Sequence, residues 1–358
     1  MVRNGVAYAL VYGANRSGGA VSWLTQWPVT REALLVVGPG QDEDVLFVSF
    51  FNHVQQARSL STVRVEWAGE RAVATALDLI VSRRAAPGRI GLVGALPFDQ
   101  YALLSEQVPG VVDLNAAYTR LRLVKSAEEL AVMRRGAALT DAAITALAGA
   151  LRPGATDHEV LAQAEQAYVR IGGQHQIHYL GITAMDEPDT SVPAQWPTGR
   201  VIRDRDVITC EISAAAAPEY AGQVLRTFTV GAPPTALVGE LHDVAVAAFE
   251  AIAARLIPGA RARDLAVGAG LIEQAGFTAV DDLVHGFGGG YLPPVVPALG
   301  RTLPTPDLVL AAGMTLVVQP NVVTRDGRLG VQTGELLLVA EDGPQPMHGF
   351  PRGLQQAG

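Results

Sequence analysis

Short apolar runs alternate with amphipathic stretches along the first 120 residues. Runs such as Ala33–Val37, Val45–Ser49 and Ile90–Val93 have the length and β-branched content of buried strands. Stretches between them, such as Glu70–Ser82 and Phe98–Gln107, have the spacing of helices with one apolar face. This alternation predicts an α/β layer domain.

The pattern changes between Arg120 and Ser126, where a strand-like run gives way to a long helical segment. Ser126 followed three residues later by Glu129 is a capping box, which satisfies the free amide groups at a helix start. We therefore predict two domains, at residues 1–120 and 121–358.

The second domain contains a repeated phrase. Leu151–Ala155 reads LRPGA and Leu256–Ala260 reads LIPGA. Each phrase ends an alanine-rich helical pattern, is followed by a second helix, and leads into a stretch of strands. A repeat in the same context predicts an internal duplication, with a cleft between two similar halves where a site can form.

The composition excludes several classes of protein. The chain has 358 residues, 49% hydrophobic, a formal net charge of -8 and one cysteine, Cys210. Because the charge is spread along the chain, we expect no nucleic-acid partner. A lone cysteine forms no internal disulfide, which favours a reducing, cytoplasmic setting. No apolar run approaches about 20 residues, so we expect a soluble protein without a membrane partner.

Several segments of the second domain carry a family resemblance. They read RLVKSAEELAVMRRGAALTDAAI, RVIRDRDVITCEISA, AGQVLRTFTVG, VHGFGGGY, AGMTLVVQPNVV and GVQTGELLLVAEDG. In order and spacing they resemble the pita-bread superfamily of prolidase, aminopeptidase P, methionine aminopeptidase and creatinase. The resemblance implies an α+β pita-bread domain with an internal pseudo-two-fold duplication, after an α/β N-terminal domain of the creatinase type. It also implies a homodimer.

The resemblance assigns positions to a metal site. Metal-dependent members hold two ions with Asp, Asp, His, Glu and Glu, in that order. The matching residues here are Glu211, Gln223, His285, Gln319 and Gly334. Burying two divalent cations needs far more negative charge than one carboxylate supplies. We therefore expect no metal ion and no other cofactor.

Creatinase implies a chemistry for such a site, because it hydrolyses a carbon–nitrogen bond without metal. By this resemblance His285 and Glu211 form the catalytic acid–base pair, since an imidazole titrates near neutral pH and a buried carboxyl can be shifted toward it. The catalytic histidine of creatinase falls in the segment SVPAQWPTGRV, which has none. Its second substrate-binding histidine falls near Tyr291, so creatine itself is not the expected substrate.

Eight polar residues are candidates for substrate binding in the expected cleft. They are Gln223, Gln319, Gln332, Glu335, His178, Arg226, Tyr220 and Tyr291. Glutamine at two former carboxylate positions keeps an oxygen and adds donors, which suits amides, carboxylates or hydroxyls. The two tyrosines either donate hydrogen bonds or pack.

Strand alternation sets expectations for three of these candidates. His178 should lie on the opposite face from His175, and it either reaches the cleft or is an ordinary polar residue at a strand start. Arg226 does not share the face of Gln223, and it either pairs with a carboxylate or binds a substrate acid. Glu335 should face away from the matched glycine before it, unless a bulge redirects it.

Three functions follow from these observations. The first is a metal-independent, creatinase-like enzyme that hydrolyses, eliminates or rearranges at a C–N bond of a small polar amide, amidine or amino-acid-like substrate. The second is a noncatalytic binding protein on the same fold. The third is a metallopeptidase of the Xaa-Pro type, which the matched residues do not favour.

Overall fold

The structure, a computed structural model, describes residues 5–15, 19–40, 43–83, 89–108, 110–217, 219–298 and 308–358. The chain divides into two compact units, Met1–Arg122 and Leu123–Gly358. The division lies at the change from strand-like to helical pattern that the sequence shows.

The first unit is a mixed sheet with helices. Its strands are β1 (Tyr8–Ala14), β2 (Glu32–Val37), β3 (Val45–Val48), β4 (Arg64–Trp67), β5 (Ile90–Val93) and β6 (Val111–Asp113), in the sheet order β4-β3-β2-β1-β5-β6. Its helices are α1 (Ala20–Thr25), α2 (Val54–Leu60), α3 (Ala72–Ser82), α4 (Phe98–Gln107) and α5 (Asn115–Leu121). Apolar residues fill both faces of the sheet, so the predicted α/β layer domain is confirmed.

The second unit begins with two helices and continues through strands. Its helices are α6 (Ala127–Ala150), α7 (Asp157–Val169), α8 (Ala236–Ala253) and α9 (Val267–Gln274). Its strands are β7 (Gln174–Ala184), β8 (Asp206–Ala217), β9 (Tyr220–Ala221), β10 (Val224–Val230), β11 (Thr278–Ala279), β12 (Val284–Phe287), β13 (Tyr291–Val296), β14 (Thr315–Val318), β15 (Asn321–Val323), β16 (Gly330–Gln332), β17 (Gly334–Ala340), β18 (Gly343–Pro346) and β19 (Gln355–Ala357).

The predicted duplication is visible in the main sheet, which runs in the order β13-β12-β14-β17-β10-β8-β7. The halves meet where β10 pairs antiparallel with β17, and Leu225 lies opposite Gly334. Gly154 and Gly259, in the two repeated phrases, have φ angles of 87° and 88°, a left-handed conformation that favours glycine. The repeated sequence therefore makes the same turn twice, and the pita-bread architecture is confirmed.

Two helix starts and the outer face of the sheet follow from local sequence. Ser126 with Glu129 and Thr156 with Glu159 each form a complete capping box. Apolar residues of α6 and α7 pack against Cys210 and its neighbours on β8, and those of α8 and α9 pack against β12, β14 and β17. One face of the sheet is therefore covered by helices. Among the described helices, none has the length and hydropathy to cross a membrane.

Candidate functional site

Four buried polar side chains form a row on the face of the main sheet that is turned away from these helices. They are Glu211 of β8, Gln223 before β10, Gln319 after β14 and His285 of β12. Cys210 packs in the helix-side core, and strand alternation therefore turns Glu211 to the opposite face. Alternation next to Val284, which packs in the core beneath α8, turns His285 the same way.

Hydrogen bonds join the row from one end to the other. Gln223 donates from Nε2 to Glu211 Oε1 at 2.7 Å, and the same nitrogen lies 3.4 Å from Gln319 Oε1. Gln319 in turn is a hydrogen-bond partner of His285. Oε1 of Gln223 is buried and has no partner among the described residues. The row therefore leaves a buried acceptor in the middle and one titratable group at each end.

The environment fixes the protonation of Glu211. Glu211 is 8% exposed. Burial, followed by the negative charge of Asp281, raises its pKa to about 8. Since Oε1 accepts from Gln223, a proton on Oε2 makes the group a neutral acid at pH 7.

His285 is shifted in the opposite direction. Burial lowers its pKa to about 4, against smaller opposing effects from the Gly286 carbonyl, Gln319 and Asp282. Its ring stacks on Tyr291 with centroids 4.0 Å apart. Nδ1 lies 3.1 Å from the Gly286 carbonyl oxygen, so Nδ1 donates and Nε2, which is left for the bond with Gln319, is the acceptor nitrogen. The ring is therefore a neutral base at pH 7.

Two residues near Glu211 were missed by the sequence analysis. Tyr179 of β7 lies directly opposite Glu211 in the strand register. Burial and the charges of Glu211 and Asp281 raise its pKa. Asp281 accepts a hydrogen bond from Asn321 at 3.3 Å. The Asp-Asp pair just before the matched histidine was the signal that could have identified Asp281, whereas Tyr179 had none.

A histidine–aspartate pair holds the backbone of Gln223. His348 Nδ1 lies 2.8 Å from Asp141 Oδ1, and His348 Nε2 accepts from the Gln223 amide at 3.1 Å. Asp141 and His348 are 207 positions apart. No local pattern connects them, so the sequence alone did not predict this pair.

The structure corrects the expectation that Arg226 and Glu335 bind substrate. Arg226 Nη2 donates to Glu335 Oε2 at 2.7 Å, and their side chains are 1% and 2% exposed. The guanidinium also donates to the carbonyl oxygens of Gly334, Phe350 and Pro351. Both side chains therefore form a structural ion pair. Of the two roles considered for Arg226, pairing with a carboxylate is the one observed.

The expectation that His178 lies on the opposite face from His175 is wrong. A bulge between His175 and Ile177 shifts the register of β7, so His175 lies opposite Ala214 and His178 opposite Ile212. Both histidines therefore point to the same face of the sheet. His178 contacts the ring of Tyr168 from α7, with centroids 5.5 Å apart. It lies beneath the helices, on the face opposite Glu211.

Of the remaining candidates, Tyr291 contacts the row, whereas Tyr220 and Gln332 bond other residues. Tyr291 is 55% exposed, covers His285 and donates to Asp282 at 2.8 Å. Tyr220 donates to Glu129 at 2.6 Å, at the start of α6, so its hydroxyl already has a structural partner. Gln332 bonds Thr227 through its backbone, and its buried Oε1 has no partner in the described part of the chain.

The residues at the matched metal positions do not fit two divalent cations. Glu211 supplies one carboxyl, and the carboxamides of Gln223 and Gln319 are neutral and supply no negative charge. A Cβ on Gly334 would lie 2.5 Å from the Val318 carbonyl oxygen and 2.9 Å from Cα of Gln319, so backbone occupies the space of a fifth ligand. Within the described residues, no group of three His, Cys, Asp or Glu ligands converges here. The donor set lacks the charge that a dinuclear site needs.

Comparison with curated proteins finds peptidases among the relatives. The chain is 28% identical over 250 residues to the probable dipeptidase PepE of Mycobacterium tuberculosis, a match that covers 66% of this chain and 61% of that protein. It is 21% identical over 258 residues to the Xaa-Pro dipeptidase of Pyrococcus furiosus, which covers 71% and 72% of the two chains. The match spans about three fifths of the length of PepE.

Comparison with solved structures gives the same fold. The X-Pro aminopeptidase of Thermotoga maritima superposes with a TM-score of 0.84 at 16% identity, over 99% of this chain and 97% of that chain. The Pyrococcus furiosus prolidase superposes with a TM-score of 0.81 at 18% identity, over 98% and 99% of the two chains. The profile of metallopeptidase family M24 matches residues 131–341. This match includes Glu211, Gln223, His285 and Gln319, and the chain belongs to metallopeptidase family M24.

Proposed function

We propose that this chain is a hydrolase that cleaves a C–N bond in a small amide or amino-acid-like substrate, without a dinuclear metal centre. The observation that carries the proposal is the opposite pKa shift of Glu211 and His285 at the two ends of one hydrogen-bonded row. Paired titratable groups whose environments separate their pKa values are typical of a catalytic acid and base.

In the proposed reaction, His285 Nε2 accepts a proton from a water molecule as the water oxygen bonds to the substrate carbonyl carbon. Glu211 donates its proton to the substrate nitrogen, and the C–N bond breaks to release the amine. The products are a carboxylic acid and an amine. Proton exchange with solvent then returns His285 to the neutral ring and Glu211 to the neutral acid.

The middle of the row supports a substrate that carries hydrogen-bond donors. Gln223 Oε1 is a buried acceptor without a partner in the described residues, and an unpaired buried acceptor is unfavourable until a ligand donor reaches it. An amide N–H or an ammonium group provides such a donor. Because PepE and the Pyrococcus protein are named as dipeptidases, dipeptides are the first substrates to test.

The decisive experiment measures amine release from a panel of dipeptides, Xaa-Pro dipeptides, small amides and amidines. The protein is dialysed against EDTA, and its metal content is determined before the assay. We expect turnover in the EDTA-treated protein, which falls by roughly 100-fold or more in both Glu211→Gln and His285→Gln. Glu240→Gln and His158→Gln, at exposed positions on α8 and α7, are the matched controls and should keep full activity.

Other outcomes would replace the proposal. Activity that appears only after Mn²⁺, Co²⁺ or Zn²⁺ is added, and is proportional to bound metal, would identify an ordinary metallopeptidase. Ligands that bind with Glu211-dependent affinity but are never turned over would identify a binding protein. Equal turnover in wild type and both site variants would rule out the assigned acid and base.

A further inference from the structure

Three metal-ligating side chains converge on the helix-covered face of the main sheet, away from the row of Glu211. They are Glu165 of α7 and His175 and His178 of β7. The two Nδ1 atoms are 3.0 Å apart, and Glu165 Oε1 lies 3.2 Å from His178 Nδ1 and 3.6 Å from His175 Nδ1. These three atoms form a compact triangle.

The bulge in β7 creates this arrangement. Residues three apart in a regular strand point to opposite faces, so His175 and His178 would be separated. The bulge between His175 and Ile177 brings both rings to the side of α7, where Glu165 extends toward them. Bulges commonly redirect side chains in this way.

The triangle has the dimensions of a zinc site. Two ligand atoms about 2.05 Å from a tetrahedral zinc ion are about 3.3 Å apart, which falls within the three observed distances. His178 makes its polar contacts through Nδ1, and its Nε2 has no partner in the described residues. We propose that Glu165, His175 and His178 bind one zinc ion, with the fourth position left to water.

The chemistry of the ligands selects the metal class. Two imidazole nitrogens and one carboxylate suit zinc and its transition-metal neighbours, whereas Mg²⁺ and Ca²⁺ prefer oxygen ligands throughout. The Glu165 and His175 side chains are 50% and 57% exposed, so an ion and its water ligand can reach the site.

This site is separate from the proposed active site. His178 pairs with Ile212, whose side chain packs in the helix-side core, whereas the next residue, Tyr179, lies opposite Glu211 on the other face. Loss of zinc binding and loss of hydrolytic activity can therefore be produced by different substitutions. The zinc proposal does not depend on the proposed function.

The test uses the untagged 358-residue chain after treatment with EDTA. Equilibrium dialysis against micromolar zinc chloride, followed by elemental analysis, should give one zinc ion per chain. Binding should be lost in the Glu165→Gln/His175→Ala double variant, which changes only half-exposed side chains, with circular dichroism as the check on folding. His158→Ala, which changes an exposed histidine on α7, and Glu211→Gln/His285→Gln are the matched controls and should keep the ion.

Cobalt provides a second measurement that depends on coordination geometry. Co²⁺ bound by two histidines and a carboxylate in a tetrahedral site should give strong visible absorption. The absorption should disappear when zinc displaces the cobalt, and it should be absent in the His175→Ala variant. The proposal is overturned if wild type binds no zinc, if the double variant binds as much as wild type, or if the ion is lost in Glu211→Gln/His285→Gln instead.

Discussion

Arg226 and Glu335 form an ion pair with Nη2 and Oε2 2.7 Å apart, and both side chains are almost completely buried. They lie on neighbouring strands, β10 and β17, where the two halves of the second unit meet. A buried pair contributes modestly when intact, because desolvation offsets much of the attraction. Removal of one partner leaves an uncompensated charge in the core.

We therefore expect Glu335→Gln to lower the free energy of unfolding by about 3 kcal/mol or more. The substitution keeps the size of the side chain and removes only the charge that faces Arg226. Urea denaturation measures the change. Glu341→Gln, an exposed position just after β17, is the control and should change stability by less than about 0.5 kcal/mol. An equal effect of the two substitutions would show that the pair is solvated in solution.

Strand alternation predicted the face of the sheet to which Arg226 and Glu335 each point, but not that the two side chains meet. The sequence alone turns Glu335 away from Gly334 and Arg226 away from Gln223, since side chains alternate along a strand. That Arg226 and Glu335 meet requires the register between β10 and β17, which closes across 109 positions. Helix starts were predictable because a capping box involves four consecutive residues, as at Ser126.

The rest of the site depends on contacts that local patterns do not encode. The bulge between His175 and Ile177 shifts the strand register from the one that simple alternation predicts, and no glycine or proline at residues 174–178 marks it in the sequence. The backbone of Val318 that closes over Gly334 comes from another strand. The positions that correspond to metal ligands could be matched from the sequence. The space available around each position could be known only from the folded structure.

Gly334 gives a direct test of this close approach. A Cβ there would lie 2.5 Å from the Val318 carbonyl oxygen, so Gly334→Ala forces the strands apart. We expect a loss of about 1–3 kcal/mol in the free energy of unfolding, as for overpacked cores. Gly149→Ala is the matched control. A Cβ at this position on α6 meets nothing within 4 Å, so the substitution should stabilise by about 0.5–1 kcal/mol.

Glu211 should make stability depend on pH. Its pKa is about 8 in the folded state against an ordinary value of 4.5, so only the unfolded state ionises between these values. The contribution of Glu211 to the free energy of unfolding is therefore fully present below pH 4.5. It decreases as the pH rises from 4.5 to 8 and changes no further above pH 8. The total loss is on the order of 5 kcal/mol. Glu211→Gln should lack this component when urea denaturation is compared at pH 5, 6.5 and 8. A pH-independent difference between the two proteins would contradict it.

Asp281 should set the alkaline limit of activity. The proposed acid, Glu211, loses its proton near pH 8, and the negative charge of Asp281 contributes to that high pKa after burial. In Asp281→Asn the carboxyl ionises at lower pH, so the alkaline limb of kcat/KM should move toward neutral pH. Asp264→Asn, at an exposed position, is the control and should leave the limb in place. An unchanged limb in both variants would mean that another group titrates there.

Tyr291 should set the acid limit, because it covers the ring of His285. Burial is the main cause of the low His285 pKa, about 4, and the stacked tyrosine ring excludes part of the solvent. Tyr291→Ala exposes the imidazole, so the pKa of His285 should rise toward 6.5. The acid limb of the kcat/KM profile should then move to higher pH. Tyr291→Phe keeps the ring and loses only the hydrogen bond to Asp282.

The His285 titration can be followed by NMR without any substrate, with the signal assigned by its loss in His285→Gln. Tyr291→Phe should titrate close to wild type and Tyr291→Ala well above it. If the alanine variant kept the low pKa, the sheet rather than Tyr291 would provide the desolvation. If both variants moved equally, the hydroxyl bond to Asp282 would be the cause, since both substitutions remove it.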